Sequence, residues 1–234
     1  MNKEIFIKEC RKINIELNSD QLEKLEKYKN LLIEWNKKFN LTTILDEADI
    51  YLKHFYDSLC LIKAINLSNK KICDFGTGAG FPGMVIAIIF NTSKITLIES
   101  NSKKILFLNE IKNKLGLKNV EIINNRMEIY AKNNKEVFDI ITCRAVSSLD
   151  IILELSVASL KLNGLFIPLK ANVDEELEKS INKAKILGYL LENKINYKLP
   201  IDGSNRTILI FKKNKKTDDK YPREYKIIKK ESMK

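Results

Sequence analysis

From Lys71 onward the 234-residue chain changes its residue period in the same order five times over. KICDF is followed by PGMVIAIIF, KITLIE by SKKILFLNEIKNKL, NVEII by RMEIYAK, FDIITC by LDIILELSVASL, and GLFIPL by DEELEKSINKAKIL. Each pair reads as a short β-branched, apolar strand and then a helix, and strands separated by helices predict a parallel sheet covered on both faces. The series then breaks. LENKINYKL and RTILIFKK have no helix between them and are joined by PIDGSN, whose Asp202-Gly203 is a turn signal, so a terminal antiparallel hairpin closes a sheet of seven strands. Ahead of the sheet, IFIKECRKI, DQLEKLEKYKNLLIEWNKKF and a stretch from about Glu47 to Ile65 read as helices, the second with Asp20 and Glu23 in capping-box register. Three parts are expected: a helical extension over 1–66, an α/β domain over 67–213 and a basic tail over 214–234 with little apolar periodicity, expected to be loose.

The first strand of the sheet runs into DFGTGAGFPG, with glycines at 76, 78, 80 and 83. Glycine in regular structure costs roughly 0.5–1 kcal/mol relative to alanine, so this density marks a backbone pressed against a ligand. Two registers compete. Gly78-x-Gly80-x-x-Gly83, with Glu99 about 20 residues on where an acid would bind a ribose, satisfies the dinucleotide fingerprint and allows an NAD-dependent oxidoreductase. Asp74-x-Gly76-x-Gly78-x-Gly80 places an acid at the strand end, which repels a pyrophosphate but helps hold a cationic amino group. That second register, with the closing hairpin, favours a Rossmann-like methyltransferase and S-adenosyl-L-methionine. The loops after the third and fourth strands bring Arg126, Met127, Glu128 and Arg144 to the carboxyl ends of the strands, the edge where open α/β sheets bind ligands.

The formal charge is +11, and residues 212–234 hold ten Lys or Arg against four Asp or Glu. A polyanionic partner is favoured, although a chain this rich in Lys, Asn and Ile is also what AT-biased coding yields. Cys10, Cys60, Cys73 and Cys143 lack any C-x-x-C spacing, so neither a zinc site nor a disulfide framework is expected. No apolar run reaches the ~18 residues of a membrane span, and a cytoplasmic monomer is expected.

The segments WNKKFNLTTI, KHFYDSL, DFGTGAGFPGMVIAI, LIESNSKKILFL, NRMEIY, CRAVSSL, LKANVDEE and YPR carry a resemblance over about residues 20 to 225. The chain resembles the bacterial 16S rRNA (guanine-N7) methyltransferase family, known as glucose-inhibited division protein B. The resemblance implies a Rossmann-like class I methyltransferase that moves a methyl group from S-adenosyl-L-methionine to guanine 527 in the 530 loop of 16S ribosomal RNA. It implies cofactor contacts at Gly76 and Phe81, at Met127 and Glu128, and at Arg144. The chain departs from it at LKA (169–171), in ESNSKK and in the tail after YPR.

Guanine N7 has an in-plane lone pair and no proton to lose, so no catalytic acid or base is expected. The protein's work is then positioning, a term that can supply about 7–11 kcal/mol. His54, the lone histidine, is read with Asn40 and Asp57 as shaping the substrate side. Phe39, Phe55, Tyr56 and Phe81 are candidate stacking surfaces for a base reached in a loop or by extrusion, with Phe39 and Phe55 reading more readily as core. A ribosome-assembly factor that keeps the fold without catalysis is the alternative from another class.

Overall fold

The structure is a computed structural model that describes residues 1–232. Helices α1 (Lys3–Lys12) and α2 (Ser19–Asn36) open the chain. The sequence places the capping box of α2 at Asp20 and Glu23; the structure puts it two residues earlier. The Asn18 side chain accepts from Gln21 N–H, and the Gln21 side chain accepts from Asn18 N–H. NSDQLE contains both spacings, and Asn caps as well as Asp.

The third helical stretch is not α throughout. It runs through α3 (Glu47–Asp49), a π-helical segment (Ile50–Tyr56), α4 (Asp57–Leu59) and a 3₁₀ segment (Cys60–Lys63). Beyond it, β1 (Lys71–Phe75), α5 (Gly83–Ile89), β2 (Lys94–Glu99), α6 (Ser102–Lys114) and β3 (Val120–Asn124) build one wing of the sheet. Then α7 (Met127–Asn133), β4 (Phe138–Arg144), α8 (Leu149–Val157), β5 (Leu160–Lys170) and α9 (Asp174–Leu187) build the other. Strands β6 (Tyr189–Lys198) and β7 (Asn205–Lys213) form the hairpin, and α10 (Tyr225–Ser232) ends the described chain.

The sheet order is β3-β2-β1-β4-β5-β7-β6, parallel from β3 to β5 and antiparallel where β7 pairs with β5 and β6. The winding direction reverses between β1 and β4, which opens a crevice at their carboxyl ends. One apolar cluster joins Phe6, Tyr28, Leu32 and Phe55 of the front helices to Met84, Ile86 and Phe107 of α5 and α6, so the helical front is packed onto the sheet face through a shared core. All seven residues of α5 are buried. Truncating Ile86 there costs about 2–5 kcal/mol, because its neighbours cannot close the cavity. A second cluster lies on the other face between α7, α8, α9 and the sheet.

The expectation of a loose tail is corrected. Glu154, an acid in the middle of the largely apolar LDIILELSV of α8, has no solvent exposure, and Arg223 encloses it. Arg223 N–H and Nε donate to Oε1 at 3.1 and 2.8 Å, Nη2 donates to Oε2 at 2.7 Å, and Lys183 Nζ stands 3.1 Å from Oε2. A buried carboxylate needs such partners. Ile228 of α10 is fully buried in the same cluster.

Candidate functional site

The loop after β1 is built around Asp74, which is fully buried. Its Oδ2 accepts from Thr77 Oγ1 at 2.5 Å and from Gly83 N–H at 2.7 Å, tying the strand end to the start of α5. Oδ1 is buried without a hydrogen-bond partner. Burial is the main cause that pushes this carboxyl up to about 7, against the lowering pull of its two donors and of Arg144. An orphaned acceptor on a desolvated carboxylate suits a cationic donor and disfavours a phosphate.

The glycines above it serve different ends. Gly76 has φ +63°, and a Cβ there would stand 2.6 Å from Val146 Cγ2, in the loop after β4. Gly78 also has φ +63°, yet a Cβ would meet only Lys104 Nζ at 3.9 Å. Packing therefore does not explain the bare backbone at Gly78; its left-handed backbone angle does. Gly78 N–H donates to Glu99 Oε2 at 2.9 Å, while Glu99 Oε1 accepts from Ser100 N–H at 2.8 Å and Asn101 N–H at 2.9 Å. A carboxylate offers about four acceptor sites, so Glu99 braces the two loops and keeps capacity for one more donor.

Met127 and Glu128 open α7 at the end of β3 and are both buried, while Arg126 ahead of them is exposed, with Nη1 3.9 Å from Glu128 Oε1. The ring of Phe81 is only 5% exposed. It stacks on His54 at 4.1 Å between centroids and on Tyr28 at 5.3 Å, so its ring supports the loop from behind and is not a surface for a base. Phe55 and Tyr56 are likewise buried, and Phe39 is half-buried against Trp35, so none of the four aromatic candidates is an exposed stacking platform.

Arg144 ends β4 and lies over the Phe81 ring, 5.5 Å from its centroid. The π-helical segment explains how it is held. Asp57 N–H bonds back to Leu52 and His54 carbonyls, off the Lys53 carbonyl that an α-helix would use, and Lys53 O accepts from Arg144 Nη1 at 2.8 Å. Such π turns recur at functional sites. His54 Nδ1 lies 3.2 Å from Arg144 Nη2, and its Nε2 lies 3.0 Å from Thr42 Oγ1. Since Arg144 can only donate, Nδ1 accepts and the proton sits on Nε2. Burial and then the neighbouring guanidinium push His54 down to about 3, so it is neutral at physiological pH.

Asp57 is the hub that sequence reasoning understated. It is 2% exposed and accepts from Arg144 Nη1 at 3.1 Å, Arg206 Nε at 3.1 Å and Tyr197 Oη at 3.0 Å. One carboxylate thus joins the helical front, the end of β4 and the hairpin. Asp57, Arg144 and Arg206 rim a cavity of about 470 Å³ lined also by Ile44, Leu169 and Lys170, within the usual range for small-molecule sites. Tyr28 was missed as well: from α2 its Oη donates to Ala79 O and clamps the glycine loop. Its spacing from Leu25 and Leu32 was the available signal.

The family model GidB, described as rRNA small subunit methyltransferase G, matches residues 21–201. The chain belongs to that family. It is 42% identical over 221 residues to a ribosomal RNA small subunit methyltransferase G from Fusobacterium nucleatum, with 94% of this chain and 95% of that protein covered. The Bacillus subtilis protein of the same description is 40% identical over 227 residues, covering 95% of each. Among solved structures, a SAM-dependent methyltransferase from Aquifex aeolicus aligns with TM-score 0.55 and 19% identity over 77% of this chain and 98% of that one. TYW2 from M. jannaschii, solved with AdoMet, aligns with TM-score 0.53 and 19% identity over 67% and 76%. The fold of the chain is that of Rossmann-like methyltransferases, as the strand order and terminal hairpin require. Among the described residues no helix is long and apolar enough to cross a membrane.

Proposed function

We propose that this protein transfers a methyl group from S-adenosyl-L-methionine to N7 of a guanine in 16S ribosomal RNA, guanine 527 in the resemblance described above. The observation that carries the reading is the buried Asp74 with its unpartnered Oδ1 beneath a glycine loop. A nucleoside with an ammonium satisfies that acceptor; a dinucleotide pyrophosphate is repelled by it. The cofactor supplies an electrophilic methyl group on a positively charged sulfur.

The chain's residues bind and orient. Asp74 takes the ammonium, Gly76 and Gly78 pass beneath the ligand, and Glu99 has the acceptor capacity for a ribose hydroxyl. Met127 and Glu128 stand on the adenine side, and Phe81 acts through its backbone and by supporting the loop. Arg144, held by Lys53 O, Asp57 and His54, sets the wall between the loop and the 470 Å³ cavity that receives the guanine. Neutral His54 donates from Nε2 to Thr42 and moves no proton, in keeping with a nucleophile that has none to lose. The partner is then 16S ribosomal RNA or the small ribosomal subunit, with the positive charge of the chain favouring it.

The test is incubation of the protein with labelled S-adenosyl-L-methionine and small subunits from cells lacking the activity, followed by borohydride reduction and aniline cleavage of the RNA. One labelled site cut by aniline supports the proposal. Label at a site that aniline spares refutes N7, and RNA binding without transfer would make the chain a non-catalytic assembly factor.

A further inference from the structure

The base cavity has a neighbour. A second cavity of about 360 Å³ shares Ala171 and Arg206 with it and continues toward the hairpin. The two differ in chemistry. The first mixes Ile44, Leu169 and alanines with cations; the second presents the amides of Asn172, Asn196 and Asn205 beside Thr207, Tyr197 and Lys198. Thr207 Oγ1 donates to Asn196 Oδ1 at 3.0 Å, with the Ala171 carbonyl a more distant acceptor at 3.4 Å, and the NH₂ of Asn196 remains to donate elsewhere. Among the described residues the side chains of Asn172 and Asn205 make no hydrogen bond, and Asn172, Asn196 and Asn205 are exposed. Asp174 also lines this cavity but is paired with Lys194.

Arg206 stands where the cavities meet. Asp57 holds its Nε at 3.1 Å and the Asn205 carbonyl holds Nη1 at 2.9 Å, while Nη2 has no partner among the described residues. A guanidinium fixed on one edge and open on the other, between a mixed apolar pocket and an amide-lined one, matches two consecutive nucleotides with their phosphate between. Amide side chains read the edges of unstacked bases, and guanidinium groups position phosphates without reading sequence.

Resting on the function proposed above, we infer that the cavity of Asn172, Asn196 and Asn205 binds a nucleotide flanking the target guanine, with Arg206 on the phosphate that joins the two. Recognition therefore extends along the strand, past the base that is modified.

The test measures methyl transfer to unmodified small subunits by the wild-type chain, by the double variant Asn196→Ala/Asn205→Ala and by Arg206→Gln, with S-adenosyl-L-methionine affinity as the control for folding. The double variant is expected to raise KM for subunits about tenfold with kcat nearly unchanged, and to leave the salt dependence of binding as it was. Arg206→Gln is expected to lower the slope of log affinity against log salt by about one. A KM unchanged in the double variant, alongside an active wild type, overturns the second subsite and leaves the methyltransferase reading standing. An inactive wild type overturns both.

Discussion

Asp57→Ala is the substitution whose consequences the structure specifies most closely. The carboxylate accepts two guanidinium bonds and one phenol bond while only 2% exposed, and without it Arg144 and Arg206 face each other with no anion between them. Removing one partner of a buried ion pair costs about 3–5 kcal/mol. The side chains of Arg144 and Arg206 are 15% and 18% exposed, so solvent relieves part of the repulsion and the expected loss is about 3 kcal/mol. For a chain of this size that lowers Tm by about 6–12 °C. Asp57→Asn keeps an acceptor and should lose about half as much. Urea unfolding should show a lower midpoint with the slope unchanged, because the native fold persists. The Asn variant should also lower kcat for methyl transfer about tenfold, since Arg144 loses one of its anchors. A Tm within about 2 °C of wild type for Asp57→Ala would refute the hub.

Three further outcomes are expected. Burial holds Asp74 at about 7, above its usual 3.8, so the folded state takes up the extra proton; the stability this gives is complete below 3.8 and is lost as pH rises to about 7. In the proposed placement the ligand's ammonium meets the ionised form, so affinity for S-adenosyl-L-methionine should rise roughly tenfold from about pH 5.5 to about pH 7, and calorimetry on Asp74→Asn should show weak binding without that rise. Gly83→Ala places a Cβ 2.3 Å from Leu97 Cδ2 and 2.8 Å from Asp74 Cβ, and chemical denaturation should report a loss of about 1–3 kcal/mol from overpacking. Arg223→Ala should expose the amides of α10 to hydrogen exchange and cost about 3 kcal/mol. Burial pushes the Glu154 carboxyl up, but the hydrogen bonds of Arg223 and Lys183 outweigh it and hold the group below the usual 4.5, so this stabilisation is present above 4.5 and is lost in wild type as pH falls through the lowered value.

The sheet was legible because periodicity switches between strand and helix five times and then stops switching, and each of those runs is an element of the structure. The glycine loop and the residues after β2, β3 and β4 were legible because strand ends point to one edge once the sheet is parallel. Sequence could not show what crosses that edge. Asp57 meets Arg144 and Arg206 over separations of 87 and 149 residues, and no local pattern encodes such a pairing. The π-helical segment escaped notice for a related reason, since its register depends on the arginine that takes the Lys53 carbonyl. Phe81 sits in the loop as the resemblance implies, but its ring is spoken for by Tyr28 and His54. The tail was misread because its lysines masked the one arginine that Glu154 needs. An acid in the middle of an apolar helix was the clue that a cation would come to it.

Equilibrium dialysis of labelled S-adenosyl-L-methionine against the full chain and against Gly78→Val addresses the central claim most directly. A Cβ at Gly78 would meet only Lys104 Nζ, at 3.9 Å, and the residue has a positive φ, so valine blocks the ligand's approach while the strain at this one position costs about 1–3 kcal/mol. One saturable site per wild-type chain, lost in Gly78→Val and untouched by excess NAD, is the predicted result. No saturable binding by the wild type, or equal binding by a folded Gly78→Val, would contradict it.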